Sequence, residues 1–287
     1  MAERKVFPGI TTDAFTSDAD RWALDKLQKV PLLPTVIKKF HELGFDRWMY
    51  VHNLGTSVRC GPNQYPTLYN ILHECCKILD MPEPELYVSS NPYPNAFAGG
   101  IERPYITLRS SIINTMNDEE LYYLIGHELG HIKANHVLYF SVYTSLWAIM
   151  EALGLSLSPA GSAISYGLLF AFYEWSRQAE FSADRAGAIC SQSRDNCIDA
   201  IVKLTAGPSR LESEVSREAF IDQARTYQDL DFRDQMGKGL LFMLYRKNYT
   251  HPLPVHRAQA LDLWFQSGGF DRILSGDYAK EKAAQSR

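Results

Sequence analysis

The segment His127-Glu128-Leu129-Gly130-His131 sets two imidazoles four residues apart with a carboxylate between them. On an α-helix, residues i and i+4 lie roughly 40° apart around the axis and one turn up. Both imidazoles then point to one side and can share a single Zn²⁺, while Glu128 projects toward the open side. There it can take a proton from an attacking water and later give it to a leaving amine. Two histidines do not complete a catalytic zinc, which takes three protein ligands and keeps one position open. His136 follows five residues after His131. On a continuing helix that is roughly 140° away, off the metal face, so His136 reads as structural or as a partner of a ligand. The run Glu180-Phe181-Ser182-Ala183-Asp184 offers a better third ligand. Its two acids share one helix face: Glu180 can ligate, and Asp184 can accept the free N–H of a ligating histidine and fix its tautomer. Alone, this pair would read as a solvated acidic face partnered by Arg177 and Arg185. Beside the histidine pair, the need for a third ligand decides for the metal.

Such a site needs helices held in fixed relation. Asn117-Asp118-Glu119-Glu120 is a helix start, with Asn117 as cap and Glu120 completing a capping box. Leu121, Leu124, Ile125, Leu129 and Ile132 continue it at helical spacing. Further helices are predicted over Glu174 to Ile189 and His256 to Phe265. Residues 13–47 look helical with a break at Pro31 to Pro34. Tyr65 to Leu79 carries Leu68, Ile71, Leu72, Cys75 and Leu79 on one face and stops at Met81-Pro82-Glu83-Pro84. Residues 86–88 and 105–108 read as short strands flanking a Pro- and Gly-rich turn region. The expectation is an α+β domain with a small sheet packed on helices. The polar end from Asp277 onward is expected to fray.

HELGH at 127–131, EFSAD at 180–184, NAFAGG at 95–100 and HPLPVHR at 251–257 occur together. In this the chain resembles the HtpX-type and CAAX-prenyl-protease family of gluzincin zinc metallopeptidases, over roughly residues 60 to 265. The resemblance implies a mostly helical zincin-like metallopeptidase domain and a zinc endopeptidase acting on extended peptides or unfolded proteins. It implies one Zn²⁺ per chain held by His127, His131 and Glu180, with Glu128 as acid and base. It implies that Asn95, Ala96 and Phe97 lead into an edge strand that pairs with substrate. It also implies that His251 donates to the oxyanion of the tetrahedral intermediate and that Arg257 braces the site. The corresponding division is a helical extension over 1–60, a metallopeptidase domain over 61–270 with an apolar helical hairpin insert at 137–173, and a polar tail over 271–287. Two rivals remain: a processing peptidase of narrow specificity, and a zinc-bearing scaffold or chaperone without turnover. Glu128 argues against the scaffold, since a structural zinc needs no such base.

The 287 residues are 46% apolar and 22% charged, which excludes a disordered chain and allows a large core. A net charge of −4 gives no strong pull toward nucleic acid. Five cysteines without metal-knuckle spacing read as reduced thiols in a cytoplasmic setting. The basic start has no apolar stretch behind it and does not resemble a secretory signal. Many members of the family are integral membrane proteins, and Val137 to Tyr173 holds a single charged residue, Glu151. As a helix, Val137 to Leu155 would reach about 28 Å, near a bilayer core, but Gly154, Pro159 and Gly161 break it. Three readings stay open for this segment: a buried hairpin or homodimer seam, a hairpin in contact with a membrane, and a cover over the active site. The failed length test of its second arm favours the first and third.

Overall fold

The computed structural model describes residues 4–155, 159–207, 214–229 and 253–281. Its centre is the helix α6 (Asp118–Lys133). The start is set as the sequence predicts. Asn117 Oδ1 accepts the Glu120 N–H, and Glu120 Oε2 accepts the Asn117 N–H, both at 2.9 Å. Three acids in the first turn meet the positive end of the helix dipole. Every residue from Glu120 to His131 is buried, so this helix has no solvent face along its working length.

Before α6 come α1 (Asp18–Gln28), α2 (Leu33–Glu42), α3 (Phe45–Thr56), α4 (Pro66–Ile78) and α5 (Ser110–Thr115). After it come α7 (His136–Thr144), α8 (Leu146–Ala152), α9 (Pro159–Ser191), α10 (Arg194–Ala206) and α11 (Arg217–Gln228). The helices α12 (Pro254–Gln266) and α13 (Gly269–Leu274) close the described part. The sheet comprises β1 (Val58–Arg59), β2 (Glu85–Ser89), β3 (Ala96–Gly99) and β4 (Tyr105–Arg109), in the order β1-β2-β4-β3. β2 and β4 run parallel with Leu86 opposite Ile106, and β3 joins β4 antiparallel with Ala96 opposite Leu108. β3 therefore lies at one edge of this mixed sheet. The chain is α+β and mostly helical, as the sequence predicts.

Two helices differ from their sequence-based expectation. The predicted helix over 174–189 is the second half of α9, which starts at Pro159. The helix of the histidines does not continue to His136. Asn135 takes a left-handed conformation (φ +57°), which an asparagine tolerates after a helix end, and α7 begins one residue later. His136 thus leaves the metal face because the chain turns, not because of helical phase.

α9 passes through two cores. Its C-terminal half joins α4, α6, α10, α12 and the sheet around Leu72, Ile106, Ile125 and Ile189. Its N-terminal half joins α1, α2, α7 and α8 around Leu27, Phe40, Ile149 and Trp175. The described residues of the apolar segment 137–173 are thus packed against the N-terminal helices, with Trp147, Tyr166 and Phe170 left facing outward. Among the described residues, no helix is long and apolar enough to cross a membrane. The tail also differs from expectation up to Glu281. Thr11 N–H donates to the Ala279 carbonyl at 3.0 Å and Glu281 N–H to the Gly9 carbonyl at 2.8 Å, so the two ends of the described chain are tied together.

The most extensive contact between described elements is α6 on α9, and it is close. A Cβ added at Gly130 would lie 2.6 Å from Ala186 Cβ and 3.2 Å from Ala183 Cα. One at Gly126 would lie 2.5 Å from Cys190 Cβ, and one at Gly187 2.6 Å from the Tyr123 carbonyl oxygen. A methyl group at Gly126 or Gly130 gains up to about 1 kcal/mol of helix propensity but costs about 1–3 kcal/mol of overpacking against rigid neighbours. Gly126→Ala and Gly130→Ala should therefore each lower stability by about 1–2 kcal/mol in chemical denaturation. Gly167, on α9 with no atom within 4 Å of an added Cβ, is the internal control. Gly167→Ala should raise stability by up to about 1 kcal/mol.

Candidate metal centre

The close crossing sets the two motifs against each other. α6 and α9 run antiparallel, so the four-residue step from His127 to His131 matches the reverse step from Asp184 to Glu180. His131 Nε2 lies 3.4 Å from Glu180 Oε1, and His127 Nε2 lies 3.4 Å from Glu180 Oε2. The two Nε2 atoms are 3.2 Å apart. One ligand atom from each of His127, His131 and Glu180 falls within a 4.8 Å cluster, and all three residues are buried. Two imidazole nitrogens and one carboxylate are the donor set of a catalytic zinc, and borderline-soft nitrogen with oxygen suits that ion. The residues present fit the group.

Outer partners aim the imidazoles. His127 Nδ1 lies 2.9 Å from Asp184 Oδ1, which as a carboxylate can only accept. The proton thus sits on Nδ1 and the Nε2 lone pair faces Glu180. Asp184 is itself held on three sides. Tyr123 Oη donates to its Oδ1 at 2.7 Å, Arg257 Nη2 to Oδ1 at 2.5 Å, and Arg257 Nε to Oδ2 at 3.0 Å. On the other side, His131 Nδ1 meets His136 Nδ1 at 3.0 Å.

The acidities follow from this arrangement. Burial acts to lower the pKa of His127, but its hydrogen bonds to Asp184 and Glu180 outweigh that and carry it up to about 9. Burial pushes His131 down to about 4, and the positive charge on His127 adds to the fall against the pull of Glu180. Burial alone would raise Asp184, yet the Arg257 guanidinium and His127 hold it well below the carboxylate range. Without metal, His127 takes a second proton, on Nε2, and that proton faces the Glu180 carboxylate.

Glu128 is buried and lines a cavity of about 260 Å³ together with His131 and Glu180. The opposite wall is Asn95, Ala96 and Phe97 with Ala98 of β3, and Met49, Phe140 and Thr144 close it. The structure thus gathers His127, Glu128, His131, Glu180, Asp184, Arg257 and residues 95–97 in one place. His251 lies outside the described residues. Sequence reasoning missed Tyr123, whose signal was its place four residues before His127. It also missed the cavity walls Met49, Phe140 and Thr144, for which the sequence holds no local signal.

Asp184 and Arg257 form a buried ion pair, and removing one partner strands the other charge in the core. Asp184→Asn should lower the stability of the metal-free protein by about 3–5 kcal/mol near neutral pH. The folded pKa of Asp184 is depressed, so its contribution is present above its ordinary 3.8 and is lost as the pH falls through the folded value. The difference between parent and variant should therefore shrink below that pH, as followed by denaturant unfolding at several pH values.

The family model of peptidase family M48 matches residues 62–265. The plastoglobule-localized metallopeptidase 48, chloroplastic, of Arabidopsis thaliana is 30% identical over 276 residues, covering 94% of this chain and 77% of its own length. A protease HtpX homologue of Thermoanaerobacter pseudethanolicus is 25% identical over 197 residues, covering 58% of this chain and 66% of its own length. Among solved structures, S. mikatae Ste24p aligns at 14% identity and a TM-score of 0.44, covering 89% of this chain and 68% of that one.

Proposed function

The chain belongs to peptidase family M48 and is a metallopeptidase, and from that premise we propose that it is a zinc-dependent endopeptidase cleaving extended peptides or unfolded proteins. The observation that carries the proposal is the convergence of His127 Nε2, His131 Nε2 and the Glu180 carboxylate beside a cavity walled by an edge strand. Zinc held by these three residues would polarise the scissile carbonyl and lower the pKa of water.

The chain's own groups supply the rest. Glu128 shares the cavity with His131 and Glu180, the place from which a carboxylate can take the proton of the attacking water and return it to the leaving amine. Asp184 keeps the His127 lone pair on Nε2 through the reaction, and Arg257 keeps Asp184 ionised. Among the described residues β3 pairs with β4 along one side only, so its other side can align an extended substrate by main-chain hydrogen bonds. Phe97, half-exposed on that strand, together with Met49 and Phe140 supports a preference for an apolar substrate side chain in the cavity. His251 as an oxyanion donor rests on the resemblance of residues 251–257 to the family's His-Pro segment.

Chelation should abolish peptidase activity on an unfolded protein such as casein, and added zinc should restore it. Glu128→Gln should keep stoichiometric zinc by metal analysis and lose almost all turnover, whereas Glu180→Ala should lose zinc affinity as well. Equal zinc retention in both variants would remove Glu180 as third ligand. His251→Phe should lower kcat by about 10²–10³ with zinc content unchanged. Turnover equal to the parent would remove His251 from the reaction.

A further inference from the structure

One buried chain of polar groups reaches the metal centre from the N-terminal helices. Asp20 lies in the first turn of α1 and is 1% exposed. Its Oδ2 accepts the Ser182 hydroxyl at 2.6 Å and lies 3.2 Å from His136 Nε2. His136 presents its other nitrogen, Nδ1, to His131 Nδ1. His131 then presents Nε2 to His127 and Glu180. Ser17, Asp20, His131, His136 and Ser182 are all buried, and the Trp175 ring packs edge-on against His136 with centroids 5.5 Å apart.

With both imidazoles neutral, hydrogen-bond direction runs one way along this chain. A carboxylate accepts only, so the proton of His136 sits on Nε2. A neutral imidazole that donates at one nitrogen accepts at the other, so His136 Nδ1 carries a lone pair. His131 must donate to it from Nδ1, which leaves the His131 lone pair on Nε2, the atom aimed at the metal position. The reverse tautomer of His136 would turn its Nε2 lone pair toward the Asp20 carboxylate at 3.2 Å, two acceptors with no proton between them.

We propose that Asp20 is a positioning residue for the ligand His131, acting through His136, so that the first N-terminal helix fixes the tautomer of a metal ligand on α6. Asp184 does this for His127 directly; Asp20 does it for His131 through one intermediate imidazole. The inference rests on His127, His131 and Glu180 being a metal site. The helix is fastened for the task. Ser182, two residues past Glu180, accepts the Ser17 N–H at 3.0 Å while donating to Asp20. Ser17 Oγ in turn caps the Asp20 N–H at 3.1 Å. Asp20 lies outside the matched residues 62–265, so the site is completed from beyond that segment.

The test is zinc affinity of the full chain by chelator competition, read alongside the visible spectrum of the cobalt-loaded protein and the stability of the metal-free protein. Asp20→Leu should weaken zinc binding about 10- to 100-fold and shift the cobalt spectrum. Asp20→Asn, which keeps an acceptor for His136, should recover most of the affinity. An Asp20→Leu protein that loses metal-free stability but binds zinc as tightly as the parent would reduce Asp20 to a packing residue and overturn the proposal. Long-range nitrogen–proton NMR of the parent gives a check that needs no variant. It should show His136 protonated at Nε2 and His131 at Nδ1, and a His136 protonated only at Nδ1 would overturn the proposal. A parent that takes up no zinc would overturn the metal reading itself, whereas equal binding by parent and Asp20→Leu would overturn only the role of Asp20.

Discussion

Everything at this site depends on how closely the backbones of α6 and α9 approach. Gly126 and Gly130 on one helix face Ala183, Ala186, Gly187 and Cys190 on the other, and a Cβ added at Gly126, Gly130 or Gly187 would meet a neighbour at 2.5, 2.6 or 2.6 Å. An antiparallel crossing at that distance puts His131 level with Glu180 and His127 level with Asp184. Two motifs of the same four-residue spacing, one on each helix, then become a single set of facing pairs. A larger side chain in the seam would move the carboxylate away from both imidazoles at once, because the helices separate as rigid bodies. The glycine inside the histidine motif is therefore a spacer between helices as much as a member of the motif.

That geometry forces charged groups into a dry interior, and the cost is met by pairing. Asp184 and Arg257 offset each other, and Tyr123 adds a third donor. At the metal position stands the Glu180 carboxylate, and two imidazoles with their protons held on the far nitrogen turn lone pairs toward the same point. Such a cluster is stable around a cation: a proton, which the metal-free protein places on His127, or a divalent ion. His127 is raised because its hydrogen bonds to Asp184 and Glu180 outweigh burial, and His131 is lowered chiefly by burial, with the His127 charge adding to the fall.

What the sequence made legible was local. The capping box, the i,i+4 histidines and the i,i+4 acids lie within one or two helical turns, where spacing dictates facing. The same reasoning failed at His136 because it assumed a continuous helix, and a single left-handed Asn135 breaks it. β3 looked like a Pro- and Gly-rich turn by composition. It is a strand because β4 offers it a hydrogen-bonding edge, a fact set by tertiary structure and only hinted at by the resemblance. α9 was seen only in its polar half. Its first half is apolar nearly all round, and length and periodicity cannot separate that from a hairpin. Asp20 gave no signal, since its partners His136 and Ser182 lie far along the chain and meet it only through the packing of α1 on α9.

The division of α9 between two cores explains how chemistry and substrate contact can be separated in one small domain. The ligands sit where the cores meet, on backbones clamped by the α6–α9 seam and the C-terminal core. The rest of the cavity wall comes from Met49 on α3 and from Phe140, Ser141 and Thr144 on α7, elements that pack mainly against the second core. The apolar segment is thus buried along one side and forms a wall of the site along another, so two of the readings open to it from sequence describe the same helices. Repacking of α2, α7 and α8 would change the shape of the cavity while the seam holds the imidazoles and Glu180 in register. His131 is the exception, since its tautomer is tied through His136 to α1. The two cores are therefore joined at one ligand, His131, and the second core bears on the metal position through His136 of α7 and, behind it, Asp20 of α1.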